Sequence, residues 1–201
     1  MVRKTSPKPE KSTPDRILDA AERLVQTRGF NGISYADIAE EVGVTKANLH
    51  HHFGSKADMG EALVNRYMET FNAALGVIDE GEAPGAARLE AYAELYASVV
   101  RNRRLCLCGV LAAEFETLPE PMQDGVKRFF NDHEAWLTRT LRAGRADGSI
   151  PPRFKEKEAA RLLIAGLEGA MLVTRPRHDH QRFKELAGTL FAGLGIPQQA
   201  G

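Results

Sequence analysis

The chain has 201 residues, which is enough for one or two small domains with a buried core. Lys and Arg together number 27, as do Asp and Glu, and 43% of the residues are hydrophobic. This composition excludes wholesale disorder, collagen and disulfide-scaffold proteins, and the zero net charge means that any nucleic-acid binding must depend on a local motif.

Residues 1–13 are predicted to form a flexible basic tail. They are rich in Pro, Lys, Ser and Thr, and residues 3–16 contain five basic residues against two acidic ones. Such a segment is either a solvated tail or an interaction arm, and both interpretations stay open. No apolar stretch follows it, so it is not a signal peptide, and no segment is long enough to span a membrane. We therefore expect a cytoplasmic protein.

Helices are predicted from Pro14 onwards. Pro at the first helical position and Gly29 at the end delimit the first helix. Ser34 and Thr45 are N-cap residues for the second and third helices, and Gly43 separates the two. Ser55 caps a fourth helix, which extends to about residue 78. Five more helices are predicted at 86–101, 106–117, 121–145, 155–174 and 181–194. Almost no segment alternates with the period of a strand, so the sequence predicts an all-α fold.

The segment from Ser34 to Phe53 has the pattern of helix, tight turn and helix. Val44 and Leu49 are the apolar positions of its second helix and should face the core. The polar residues left outside are Thr45, Lys46, Asn48, His50 and His51. A short helix that exposes such residues near its N-terminus has the features needed to enter the major groove of DNA.

The run from Val44 to Lys56, together with Ile38-Ala39 and His52-Phe53, resembles the DNA-binding signature of the TetR family of bacterial transcription regulators. This resemblance covers about residues 15–60. It implies an N-terminal helix-turn-helix DNA-binding domain at 14–54 and a C-terminal helical ligand-binding and dimerisation domain at 55–201. The candidate DNA-contacting residues are Ser34, Tyr35, Thr45, Lys46, Ala47, Asn48, His50, His51 and Lys56.

Two positions depart from the family pattern. Ala47 stands where the family usually has Gly, and His50 stands where it usually has a Tyr that contacts a phosphate. We expect Lys46 and Lys56 to contact mainly phosphates, although Lys46 is also placed to reach guanine. The amide of Asn48 is the better candidate for a base edge.

The histidines at 50, 51 and 52 do not suggest a metal site. Successive residues of a helix point about 100° apart, so three in a row cannot converge on one ion. No other metal or cofactor site is predicted.

The last two predicted helices contain the most apolar segments. Residues 162–173 are apolar on almost every face, and a second apolar stripe runs from Phe183 to Leu194. One interpretation is that both helices belong to the core of a single chain. The resemblance implies instead that they form a four-helix bundle with the same helices of a second copy, and we prefer this homodimer.

The resemblance further implies that the helices at 86–145 enclose an inducer pocket for a small apolar or aromatic molecule. Aromatic residues at helical spacing are more often core residues than ligand contacts, and His133 is either a polar anchor or an ordinary histidine. The candidate ligand-binding residues are Tyr96, Phe115, Phe129, His133, Trp136 and Met171.

Cys106 and Cys108 follow the basic residues Arg101, Arg103 and Arg104. Cationic neighbours stabilise a thiolate, so a thiol that senses oxidants or electrophiles is one alternative. Two small buried hydrophobic residues are the other, because burial raises the pKa of a thiol.

The sequence therefore predicts a DNA-binding repressor that a small molecule releases from a palindromic operator. An enzyme is not predicted, because no nucleophile motif, phosphate-binding loop or complete metal-protease motif is present. A repressor that responds to oxidants or electrophiles through Cys106 is one alternative. A helical protein-interaction adaptor is another, but it leaves Thr45, Lys46 and Asn48 unexplained.

Overall fold

The computed structural model describes residues 11–197, and these form nine α-helices without a strand. The predicted all-α fold is therefore confirmed for this part of the chain. Residues 1–10 of the predicted tail lie outside the described residues. The helices are α1 Thr13–Arg28, α2 Tyr35–Val42, α3 Lys46–His52, α4 Lys56–Glu80, α5 Gly85–Arg101, α6 Leu107–Ala113, α7 Glu120–Ala146, α8 Glu156–Thr174 and α9 His180–Gly193.

The first helix begins one residue earlier than Pro14. The side chain of Ser12 accepts a hydrogen bond from the backbone N–H of Asp15, which places Ser12 at the N-cap and Thr13 inside the helix. Pro14 occupies the first turn, where a missing N–H costs nothing.

The helices α1, α2 and α3 form a small unit that we call the head. Its core is a set of fully buried apolar side chains, with Ile17 and Ala21 from α1, Ile38 from α2 and Leu49 from α3. The guanidinium of Arg16 donates a hydrogen bond to the carbonyl of Val42 over 2.8 Å, which ties α1 to the end of α2.

The long helix α4 joins the head to helices α5 to α9, and we call α4 to α9 together the body. The 25 residues of α4 extend over about 37 Å at 1.5 Å per residue. Met59 and Leu63 are buried in its first half, and Phe71 and Leu75 in its second half. One continuous helix therefore contributes to the core along its whole length.

The body consists of α5 to α9 together with α4, and α7 is its longest helix at 27 residues. The helix predicted at 106–117 is shorter than expected. The α-helix ends at Ala113, and a 3-10 turn follows at Phe115–Thr117. The hydroxyl of Thr117 donates to the carbonyl of Glu114 over 2.8 Å and tightens this turn. No helix within residues 11–197 is long and apolar enough to cross a membrane.

Candidate functional site

The turn between α2 and α3 has the geometry that the sequence predicts. Ser34 and Asp37 form a capping box, in which the backbone N–H of Ser34 donates to the Asp37 carboxylate over 2.7 Å. These bonds from Ser34 lower the pKa of Asp37. Gly43 ends α2 with φ +75°, a left-handed conformation that glycine adopts without steric cost.

The N-terminal half of α3 is directed towards solvent. The Thr45 side chain accepts a hydrogen bond from the backbone N–H of Asn48 over 3.2 Å and caps the helix. Thr45, Lys46 and Ala47 are exposed, as are His50 and His51. Lys46 has no ion pair within the part of the chain that the structure describes. The structure thus leaves a cation and a helix start open to an approaching ligand.

Asn48 is half-buried, and its Oδ1 atom is inaccessible to water without a hydrogen-bond partner among the described residues. A buried carbonyl oxygen without a partner is unfavourable. The assignment of Asn48 as a base contact stays a prediction.

Tyr35 and His50 contact each other rather than both facing outward. The Tyr35 ring is buried, and its hydroxyl donates to the carbonyl of Phe53 over 3.1 Å. Its ring centroid lies 4.8 Å from that of His50 in an edge-on arrangement. His50 Nδ1 lies 3.2 Å from the carbonyl oxygen of Gly54. In this structure Tyr35 holds α2 against the end of α3, whereas His50 keeps an exposed edge.

Lys56 is bound inside the head. Its ammonium donates to the carbonyl of Phe30 over 2.6 Å and lies 4.3 Å from the centroid of the Phe30 ring. Burial lowers its pKa, while the charges of Glu114 and Asp37 act in the opposite direction. Its contact with a phosphate stays a prediction, because the ammonium would have to leave the carbonyl of Phe30 to make it.

The head is attached to the body through the loop that follows α1. The Glu114 carboxylate accepts a hydrogen bond from the backbone N–H of Phe30 over 2.7 Å and is within 3.4 Å of the N–H of Asn31. The Asn31 side chain donates to the hydroxyl of Thr117 over 2.7 Å. Arg175, after α8, also donates to the carbonyl of Thr27. These contacts connect α6 and the end of α8 directly to the head.

Four of the six predicted ligand-binding residues lie together in one aromatic cluster of the body. Tyr96, Phe129, His133 and Trp136 are each at most 4% exposed. Their rings pack around Tyr92 and Phe71, and the centroids of Phe129 and His133 are 3.8 Å apart. The indole N–H of Trp136 donates to Asp79 over 3.0 Å.

His133 is the buried polar group of this cluster. Its Nδ1 atom lies 3.1 Å from the hydroxyl of Tyr92, and its Nε2 atom has no partner within residues 11–197. Burial lowers the pKa of His133 to about 3, so the ring is neutral at physiological pH. A neutral imidazole with one free nitrogen can exchange a hydrogen bond with a bound molecule.

The other two predicted residues, Phe115 and Met171, differ in their surroundings. Phe115 is in the 3-10 turn beside the head, where the Lys127 ammonium lies 5.6 Å from its ring centroid. Met171 is buried on α8. The geometry does not bring Phe115 into the aromatic cluster.

Glu168 on α8 is a half-buried acid that sequence reasoning did not select. Its Oε1 atom is inaccessible and has no partner in the described part of the chain, and burial raises its pKa to about 7. Hydrogen bonds with Cys106 and Tyr96 act against this rise. The available signal was a single acid inside the otherwise apolar segment 162–173.

Cys106 and Cys108 are both buried, and Cys106 Sγ lies 3.7 Å from the hydroxyl of Tyr67. Burial raises the pKa of both thiols, and the nearby Glu168 adds to the rise. The thiolate that a sensor needs is therefore disfavoured, and the structure supports the buried-hydrophobe interpretation. Among the described residues no three His, Cys, Asp or Glu side chains are placed to hold a metal ion.

One face of α8 and α9 is apolar and uncovered in the single chain. Leu162, Leu172 and Val173 are 48%, 55% and 64% exposed. Beside them is a groove of about 510 Å³ lined mainly by apolar residues of α8 and α9, including Leu190. A surface of this kind on a globular protein indicates an interaction site.

Comparison with known proteins assigns both parts of the chain. Residues 17–63 match the family described as bacterial regulatory proteins, tetR family, and residues 85–190 match the tetracyclin repressor-like C-terminal domain.

Individual proteins resemble the chain over most of its length. A TetR-family transcriptional regulator from Agrobacterium tumefaciens has a crystal structure with a TM-score of 0.86 and 30% identity, covering 90% of this chain and 96% of that one. The HTH-type transcriptional regulator TtgR of Pseudomonas putida is 30% identical over 84% of this chain and 82% of its own. The nucleoid occlusion factor SlmA of Marinobacter nauticus is 30% identical over 82% of this chain and 84% of its own.

Proposed function

The chain belongs to the TetR family of bacterial regulatory proteins, and from this premise we propose that it is a homodimeric repressor that binds an inverted-repeat operator and is released by a small molecule. DNA-binding transcription regulation is the function of the family, which is not a family of enzymes. The operator symmetry, the repression and the inducer are the parts that we propose. We place its action in the cytoplasm, where bacterial DNA lies.

The observation that carries the proposal is the exposed start of α3 behind the left-handed turn at Gly43. Backbone N–H groups at the start of a helix attract phosphate, and Lys46, which has no ion pair within residues 11–197, adds a positive charge at the same place. The side chain of Asn48 lies in the same first turn of α3, and its amide, which can both donate and accept, supports base contact. These groups suit α3 as the helix that enters the major groove.

The uncovered apolar face of α8 and α9 supports pairing with a second copy. A two-fold dimer buries the same surface on both copies and presents two α3 helices to successive major grooves, roughly 34 Å apart. The DNA site should then have the same two-fold symmetry as the protein.

The aromatic cluster of the body supports an apolar or aromatic inducer. Within residues 11–197 the cluster contains one polar atom without a partner, Nε2 of His133, and Glu168, which hydrogen-bonds Tyr96 of the cluster, has a second such atom in Oε1; a bound molecule can satisfy both. The Glu114 contact with the loop after α1 is a direct route by which a change in the body reaches the head. For release, the inducer must bind better to a dimer geometry whose heads no longer fit the DNA.

Selection of bound sequences from random duplexes, combined with sedimentation, tests the DNA part of the proposal. We expect a dimer at micromolar concentration and selected sites with inverted symmetry. A monomer that selects sites without symmetry would contradict the proposal, and absence of salt-dependent binding to any duplex would exclude DNA binding altogether.

A second experiment tests the inducer site. Once a screen has identified a molecule that releases the selected DNA, Trp136→Ala should weaken the dose response while sparing DNA affinity. Phe115→Ala is the matched control, because Phe115 lies outside the aromatic cluster. An unchanged dose response in Trp136→Ala would place the inducer elsewhere.

A further inference from the structure

A groove of about 260 Å³ lies where the head meets the body. Its walls come from α1, from the middle of α4 and from the last turns of α5, with Gln26, Ala74 and Val99 as respective members. The groove therefore differs from the aromatic cluster, since one of its walls belongs to the head.

Gln26 gives the groove an unsatisfied hydrogen-bonding group. The residue is 2% exposed, and its Oε1 atom has no partner among residues 11–197. Buried polar atoms of this kind are rare and call for a ligand or a structural explanation. The side-chain amide of Gln26 has an oxygen that accepts a hydrogen bond and an NH₂ group that donates one. A hydroxyl group can pair with either of them, because it both donates and accepts.

Arg104 gives the groove a positive charge. It is half-buried on the lining, and its guanidinium has no ion pair or side-chain hydrogen bond within the described residues. The acidic residue of the lining, Glu22, is paired with Arg66 over 3.3 Å. The charge of Arg104 is therefore the one left for an anion, and a guanidinium binds a carboxylate with two parallel hydrogen bonds.

The rest of the lining combines apolar side chains and rings with the uncharged polar residues Thr70, Ser98 and Asn102. Leu95 and Val99 line the groove from α5, and the rings of Tyr67 and Phe71 line it from α4. We propose that this groove is a binding site for a small hydroxyaryl carboxylate. The carboxylate pairs with Arg104, the ring lies against the apolar side chains, and the hydroxyl meets Gln26.

Occupancy of the groove is linked to DNA binding, which is the part of this inference that rests on the proposed function. A ligand that touches α1, α4 and α5 together restrains the orientation of the head on the body. The small molecule and the DNA each bind better to a particular orientation of the head. The small molecule therefore changes the affinity for DNA by the same factor by which DNA changes the affinity for the small molecule.

Calorimetry on the full chain tests the site with 4-hydroxybenzoate and 4-hydroxyphenylacetate as probes. We expect one of them to bind once per chain. The same probe with a methyl group in place of the hydroxyl, or with an alcohol in place of the carboxylate, should bind about tenfold more weakly. Equal binding of these analogues, or no binding of either probe at millimolar concentration, would overturn the proposal.

Variants then locate the binding. Gln26→Leu and Arg104→Gln should each reduce probe affinity about tenfold or more while the melting temperature is kept. Arg103→Gln is the matched control, because Arg103 is the exposed neighbour of Arg104 and does not line the groove. If Gln26→Leu and Arg104→Gln bind like the original chain, the groove is not the site.

The linkage has its own readout. Saturating probe should change affinity for the selected DNA site, and Arg104→Gln should abolish that change. Probe binding without any change in DNA affinity would overturn the linkage, whereas failure of DNA binding itself would leave the calorimetric result on the groove intact.

Discussion

Lys46 and Asn48 are two residues apart in α3, but their surroundings differ. Lys46 is exposed without an ion pair among the described residues, whereas Asn48 is half-buried with an orphaned oxygen. The exposed ammonium suits the phosphate backbone, which is the same for every sequence. The amide suits a base edge, since it presents one donor and one acceptor.

Two alanine variants separate these roles. Lys46→Ala should weaken binding to all duplexes and reduce the slope of log affinity against log salt by about 1. Asn48→Ala should relax sequence preference at one position, at about 1–3 kcal/mol. Filter binding on the selected site and on point-substituted sites measures both. Equal loss on every sequence for Asn48→Ala would make it a backbone contact.

His133 makes folding stability depend on pH. Its pKa is about 3 in the folded chain, below the ordinary value of 6.5, because the protonated ring would be buried. Between these two pKa values the unfolded chain holds a proton on His133 that the folded chain lacks. The contribution of His133 to the free energy of unfolding is therefore present above pH 6.5 and is lost as the pH falls towards 3. Between pH 6.5 and 5 this loss is about 2 kcal/mol.

Urea unfolding at several pH values checks this expectation. His133→Gln and His133→Phe cannot titrate, so both should lose about 2 kcal/mol less than the original chain between pH 6.5 and 5. Their absolute stabilities will differ because they pack differently against Phe129 and Tyr92. A pH dependence as steep as that of the original chain in both variants would disprove the role of His133.

The end of α6 makes one of the direct contacts between the head and the body. The helix ends at Ala113, and the carboxylate of the following Glu114 accepts hydrogen bonds from the loop after α1. This contact joins residues 84 positions apart in the chain. The end of α6 therefore helps to set how the head sits on the body.

Glu114→Gln should destabilise the chain by about 1–3 kcal/mol, because one N–H of the loop loses its acceptor and faces an NH₂ group instead. Urea unfolding gives the magnitude. Glu116→Gln is the control, since Glu116 is an exposed neighbour, and it should stay within about 0.5 kcal/mol. Equal effects of the two variants would show that the Glu114 contact contributes nothing specific.

In the single chain, one apolar face of α8 and α9 is exposed to solvent. The same helices also bury Leu163, Leu167, Phe183 and Phe191 inside the body. Both interpretations of these apolar segments are therefore needed: one face closes the core of the single chain, and the opposite face is left for the proposed dimer.

Val173→Glu should convert the dimer to a monomer, because it places a charge in the centre of the proposed interface. The residue is 64% exposed in the single chain, so the fold should survive. Val77→Glu on α4 is the matched control, with 69% exposure outside this face. Sedimentation and operator binding should change only for Val173→Glu, and a dimeric Val173→Glu chain would place the interface elsewhere.

The sequence by itself determined the helices, the turn at Gly43 and the family, because caps, glycines and 3.6-residue periodicity act over a few neighbouring residues. It also identified Tyr96, Phe129, His133 and Trp136, since residues of α5 and α7 at helical spacing turn to one side. Only the tertiary structure decided what each of these side chains meets.

That is why Phe115 fell outside the aromatic cluster, and why Tyr35 and Lys56 are bound to the carbonyls of Phe53 and Phe30. Likewise, only the tertiary structure shows the surroundings of Glu168 and the groove that Gln26 and Arg104 line. Such contacts depend on where helices cross, and crossing brings together residues whose separation in the chain leaves no periodic signal.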